Sequence, residues 1–152
     1  MKRILLTQNK KAIIDDEDFE KVNQLKWHFD GRYAANKNKK KIYLHRFILN
    51  LPSNIKIDHK DLNKLNCQRF NLRIANAQQN GVNRGLNKNN MSGYKGVYFH
   101  KQKKYKKPWV ATIKVNYKSI YLGMFKTPKQ AACAYNSAAL FYFGNFAFLN
   151  KI

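Results

Sequence analysis

The chain has 152 residues, 44% hydrophobic and 14% aromatic, which is enough for one ordinary domain or two small ones with packed cores. Thirty Lys and Arg stand against eight Asp and Glu, a formal net charge of +22 at pH 7. Such an excess repels itself in a compact fold unless a polyanion neutralises it, and nucleic acid does so by releasing counterions from its phosphates. No apolar run approaches membrane-spanning length and the first residues lack the apolar core of a secretory signal, so an intracellular protein with no membrane partner is expected.

Every carboxylate lies at or before Asp61, six of them between Asp15 and Asp30, and none follows from Leu62 to Ile152. Carboxylate chemistry must therefore draw on Asp58, Asp61 or the early acidic cluster. The two cysteines, Cys67 and Cys133, are far apart and form no CxxC pair, so neither a disulfide framework nor a zinc site is expected.

In chain order, Ile4 to Thr7 and Ala12 to Ile14 read as strands around a turn at Gln8 to Lys11. Asp15 to Asp18 open a short helix reaching about Leu25, with carboxylates at its positive end. Period-two alternation of Trp27, Phe29, Tyr33 and Ala35, continued less strictly by Ile42, Leu44 and Phe47, predicts a hairpin turning within Lys37 to Lys41. A helix is predicted from about Asn76 to Asn83. Arg84 to Gly93 is polar and poor in apolar residues, and reads as a linker. Strands follow at Gly96 to His100, Trp109 to Val115 and Lys118 to Gly123, the last two joined at Asn116-Tyr117. Thr127 then caps a helix with Pro128 in its first turn and Gly144 past its end, Ala131, Ala134, Ala138 and Phe141 forming one face.

Phosphodiester hydrolysis needs a base that titrates near neutrality and a hard cation to neutralise the phosphate. Asp58-His59 offers a carboxylate and an imidazole, but consecutive residues of a strand project to opposite faces unless the strand ends there. Leu44-His45-Arg46, Asp58-His59, Asn66, Asn71-Leu72-Arg73 and Gln79-Asn80 occur in the order that resembles the HNH homing endonucleases of phages and mobile introns, over roughly residues 1 to 90. The resemblance implies a ββα-metal finger in which Asp58 and Asn80 bind one Mg²⁺ or Mn²⁺, His59 is the general base and Asn71 braces the loop that carries it. His45, Arg46 and Arg73 fall near that site. Leu62, where relatives often have Gly, and Cys67, where Asn is frequent, depart from the pattern.

In the remainder, Ser92 to Val97, Trp109 to Lys114, Tyr121 to Phe125 and the helix with Ala131, Tyr135, Asn136 and Ala138 closely resemble the Apetala-two/ethylene-response-factor DNA-binding domain. That likeness implies a three-stranded sheet in the DNA major groove backed by one helix. Positions matching its contact residues are Lys95, Tyr98, His100, Thr112, Lys114 and Tyr121. Alternation would turn Ala111, Ile113 and Val115 towards the helix, and Val110, Thr112 and Lys114 towards DNA. This part has eleven Lys, no Arg and no acid, a composition suited to phosphate contact more than to bidentate base reading. The Lys101 to Lys107 run is a candidate phosphate-contacting loop.

The expected fold class is α+β: an HNH module at 1–84, a linker at 85–92 and a sheet-and-helix module at 93–152. The expected function is a monomeric, strand-nicking DNA endonuclease of a phage or mobile element, acting on duplex DNA without a small-molecule cofactor and leaving 3′-hydroxyl and 5′-phosphate ends. The rival readings are a non-catalytic DNA-binding regulator and an RNA-binding structural protein.

Overall fold

The computed structural model describes residues 1–38, 40–101 and 106–152, and the chain divides into two compact units, Met1–Asn80 and Gly81–Ile152. That division falls four residues before the end expected for the first module. Lys39, within the predicted hairpin turn, and residues 102–105, within the lysine run, lie outside the described residues.

The first unit opens with antiparallel strands β1 (Lys2–Leu5) and β2 (Lys11–Ile14), paired Ile4 with Ala12. Their alternation buries Ile4, Ala12 and Ile14 on one face. A 3₁₀ turn at Asp16–Asp18 leads into α1 (Phe19–Asn23), which buries Val22. Strands β3 (His28–Phe29), β4 (Ala34–Lys37) and β5 (Lys41–Tyr43) form a small antiparallel sheet. Here the expected strand through Leu44 and Phe47 is a helix instead, α2 (Leu44–Leu49). Leu44 and Ile48, four apart and both buried, define its inner face. It ends at Asn50 in the left-handed conformation (φ 50), which Asn tolerates better than most residues. Ile4, Ile14, Val22, Trp27, Leu44, Ile48, Cys67 and Leu72 share one core.

Strand β6 (Ile57–His59) pairs antiparallel with β7 (Leu72–Ile74), and α3 (Ala77–Val82) follows. Helix α3 starts where Asn76 and Gln79 exchange bonds, each side-chain oxygen accepting the other's backbone N–H at 2.8 Å.

The acidic cluster is a clasp rather than helix-end decoration alone. Asp18, 2% exposed, takes a forked pair of bonds from Arg69 at 3.0 and 2.7 Å, and Asp15 accepts from the Arg69 backbone N–H at 2.7 Å. Glu17 joins Arg69 from the outside at 2.8 Å. These bonds fix the 3₁₀ turn Arg69–Asn71, from which β7 departs.

In the second unit β8 (Val97–Phe99), β9 (Trp109–Val115) and β10 (Lys118–Phe125) make an antiparallel sheet with β9 central. The β9–β10 turn places Asn116 and Tyr117 at positive φ (48 and 65), the twist a two-residue hairpin demands. Helix α4 (Pro128–Phe143) carries the expected Thr127 cap, completed by Gln130 into a capping box, and Gly144 closes it. The buried side of α4 is Ala131, Ala132, Tyr135 and Ala139; of the expected stripe, Ala131 lies on it and Ala134 and Ala138 pack partly buried at its edge. Phe141 is 82% exposed. Ala side chains let the helix lie close on Val97, Ala111 and Ile113.

That closeness reaches its limit at Gly96 (φ 74). A Cβ there would sit 2.1 Å from the Tyr135 ring and 2.5 Å from the Thr112 carbonyl. Gly96→Ala is therefore expected to destabilise the second unit by about 2 to 5 kcal/mol, from left-handed strain plus overpacking. Faster amide exchange in β9 than in β2 would register it. Unchanged exchange in β9 would contradict the packing described here.

Candidate active site

Strand β6 carries Asp58 and ends at His59, and this termination decides where the two side chains go. Asp58 is directly opposite Arg73 on β7. Arg73 Nε and Nη2 both donate to Asp58 Oδ2, at 2.9 and 2.7 Å, and the carboxylate is 1% exposed. The His59 ring meets His45 edge-on at 5.1 Å and Tyr33 at 6.1 Å. His45, on the first turn of α2, stacks on Tyr43 at 5.7 Å and 8°.

Both imidazoles are buried, His59 at 1% and His45 at 6% exposure. Burial pushes His45 down to about 3, helped by its neighbour His59, and pushes His59 down to about 4, helped by Lys64. Both rings are consequently neutral at pH 7, the form that accepts a proton or a metal ion.

The loop after His59 is held by Asn71, itself 1% exposed. Its Oδ1 accepts from the Asp61 backbone N–H at 3.0 Å, and its Nδ2 donates to Asp61 Oδ1 and to the Asn66 carbonyl. Asp61 spends its second oxygen on Asn66 Nδ2 at 2.7 Å. Leu62, the departure from Gly noted above, takes φ 66, so this chain tolerates left-handed strain where glycine would avoid it.

Asn80 lines an opening of about 170 Å³ with Tyr33, Tyr43, His45, Arg46, Lys56 and Ile57. His59 is in ring contact with two of those residues, His45 and Tyr33. Arg46 ties α2 to the following loop through the Pro52 carbonyl at 2.6 Å. Cys67, fully buried, brings its sulfur to the two imidazoles: one donor atom from each of His45, His59 and Cys67 falls within 4.8 Å of the others.

The comparison that decides the family is a single relative. The chain is 36% identical over 148 residues to a protein named "Uncharacterized HNH endonuclease" from Acanthamoeba polyphaga mimivirus, covering 93% of this chain and 75% of that protein. The chain belongs to the HNH endonuclease family. No protein-family model matches it, and no solved structure matches it either. This HNH chain is of mixed helix and strand, and none of its described helices is long and apolar enough to cross a membrane.

Of the expected site residues in the first unit, Asp58, His59, Asn71 and Arg73 gather on the β6–β7 pair and its loop, while His45, Arg46 and Asn80 border the opening beside them. Sequence reasoning missed the packing of Tyr33 and Tyr43 on the histidines, the approach of Cys67, and the clasp made by Arg69. Only the last had a signal: four consecutive carboxylates, Asp15 to Asp18, call for a cation nearby.

On the second unit the register puts Tyr98, Val110, Thr112, Lys114 and Tyr121 on one side of the sheet, with Tyr121 beside Thr112. Tyr98, Lys114 and Tyr121 are exposed, but Val110 is 2% exposed and presents nothing outward. His100 continues β8 by one bond from its backbone N–H to the Pro108 carbonyl. Lys95 spends its ammonium internally, donating to the Val82 and Arg84 carbonyls at 2.6 and 2.7 Å. Burial brings it down to about 8.

Proposed function

We propose that the protein is a metal-dependent DNA endonuclease that nicks one strand, with His59 as general base. The observation that carries this reading is the Asp58-His59 pair at the end of β6, backed by Arg73 and followed by a loop clasped by Asn71, in a chain of the HNH family. The succession of β6, β7 and α3 supports reading this part as a ββα-metal finger. Asp58 and Asn80 supply one carboxylate and one amide oxygen, a donor set that fits Mg²⁺ or Mn²⁺ keeping most of its waters. When bound there, the cation neutralises charge building on the phosphate and the departing sugar oxygen. Neutral His59 takes a proton from water, and the oxygen forms a bond to phosphorus. The bond from phosphorus to the 3′ oxygen breaks, and that oxygen takes a proton from solvent water, leaving 3′-hydroxyl and 5′-phosphate ends. Because His59 is 1% exposed, His45 and Tyr33 must shift when DNA binds.

Positioning on duplex DNA falls to the second unit, whose sheet side with Tyr98, Thr112, Lys114 and Tyr121 suits a major groove, as in the Apetala-two/ethylene-response-factor-like reading. His100, one residue beyond β8, extends that side. Lys95 contributes by fixing the chain at Val82 and Arg84.

Two observations favour the non-catalytic regulator: Asp58 already pairs with Arg73, and His59 is closed off. Plasmid nicking in Mg²⁺ or Mn²⁺ separates the readings. Relaxed circles support the nuclease, and DNA binding without cleavage over several divalent ions supports the regulator.

A further inference from the structure

We infer that His45, His59 and Cys67 form a second metal site, specific for a soft divalent cation of the Zn²⁺ class. Their donor atoms come from three separate elements, α2, β6 and the loop at Asn66–Cys67, yet lie within 4.8 Å of one another, and all three side chains are buried. A tetrahedral zinc ion at about 2.0 to 2.3 Å from each ligand holds its donors somewhat closer, so binding draws the three together by about 1 Å. His45 Nδ1 is buried with no hydrogen-bond partner among the described residues, a polar atom whose isolation a metal would end.

Two imidazoles and one sulfur are ligands for Zn²⁺ and its soft neighbours, whereas Mg²⁺ takes oxygen. Burial holds the Cys67 thiol up at about 12, so it gives up its proton only to an ion that binds it directly. Of the charges that act on His59, Asp58 and Asp61 favour a cation, while Lys64 opposes one. The fourth position is left to water or another small ligand, as in zinc sites with three protein ligands.

The consequence for cleavage rests on the nuclease reading: an ion on His59 removes the base, so Zn²⁺ inhibits where Mg²⁺ activates. Binding itself does not depend on that reading and is tested apart from it. The probe is Co²⁺ added to the full chain. One equivalent is expected to give visible ligand-field bands of a tetrahedral site with a thiolate-to-cobalt charge-transfer band, both removed by Zn²⁺ and neither by Mg²⁺. Cys133→Ser, altering the exposed cysteine, should keep the spectrum. Cys67→Ala should lose the thiolate band and bind about 100-fold or more weakly, since removing a ligand costs at least what removing its orienting partner does. No thiolate band in the wild-type chain, or a band that disappears with Cys133 and not with Cys67, overturns the proposal. These outcomes need no cleavage, so they stand whether or not the chain nicks DNA.

Discussion

His59→Ala is expected to slow plasmid nicking by roughly 10²- to 10⁴-fold, the usual contribution of a positioned general base, while leaving duplex DNA binding within a few-fold of wild type. The separation follows from placement. His59 is buried in the first unit, and the sheet proposed to lie along DNA belongs to the second. Truncating a fully buried ring also opens a cavity, so the rate must be read beside circular dichroism and a gel-shift titration. The cavity provides a further check. Imidazole in the buffer can enter the space and restore part of the rate to His59→Ala, but not to Asp58→Asn, which keeps the ring and loses the proposed metal carboxylate. A His59→Ala protein that nicks at more than a tenth of the wild-type rate would refute the base assignment.

The second large effect is on stability. Arg69→Ala is expected to cost about 2 to 4 kcal/mol, somewhat less than removal of one partner from a fully buried ion pair, because the guanidinium is partly exposed. What makes the loss large is the partner left behind. Asp18 is 2% exposed and would keep a carboxylate with neither of its guanidinium bonds. The test is a double-mutant cycle by urea denaturation. Asp18→Asn with Arg69→Ala should recover at least half of the single-variant loss, because the buried charge is gone. Additive losses would mean that the two residues act independently and that the clasp does not hold the 3₁₀ turn before β7.

Both predictions depend on contacts that the sequence discloses unevenly. Turn chemistry and capping were legible wherever a residue type has a single physical use: Thr127 and Pro128 for the start of α4, Asn116-Tyr117 for the β9–β10 turn, and a helix start at about Asn76 for α3. Alternation failed at Leu44 to Phe47, because Leu44 and Phe47 fit a helix spacing as well as a loose strand and the burial of Ile48 settles it. The face of α4 was legible at Ala131 and only at its edge for Ala134 and Ala138, because an alanine-rich helix offers small residues on several sides, and the ring of Tyr135 filling the space over Gly96 sets which is innermost. Val110 faces as alternation says but is covered by its neighbours, which a one-dimensional pattern cannot express.

At the site, the order of Asp58, His59, Asn71 and Asn80 along the chain was readable, and so was the need for His59 to end its strand. The depth of the histidines was not. It arises from Tyr33, Tyr43 and Cys67, which come from distant segments and carry no motif. Cys67 stands out in the sequence only as a departure from Asn, because ligand sets are legible there as short spacings and it lies eight positions from His59 and twenty-two from His45.

The whole catalytic account depends on Asp58 and Asn80 sharing one hard cation beside His59. Crystals of the full chain with a duplex, soaked in Mn²⁺ and measured at the manganese absorption edge, report on that directly. The account predicts an anomalous peak about 2.0 to 2.3 Å from a carboxylate oxygen of Asp58 and from the amide oxygen of Asn80, a span that covers oxygen ligands of hard cations. A fully loaded manganese ion that touches neither residue, or only one of them with the other turned away, would contradict it.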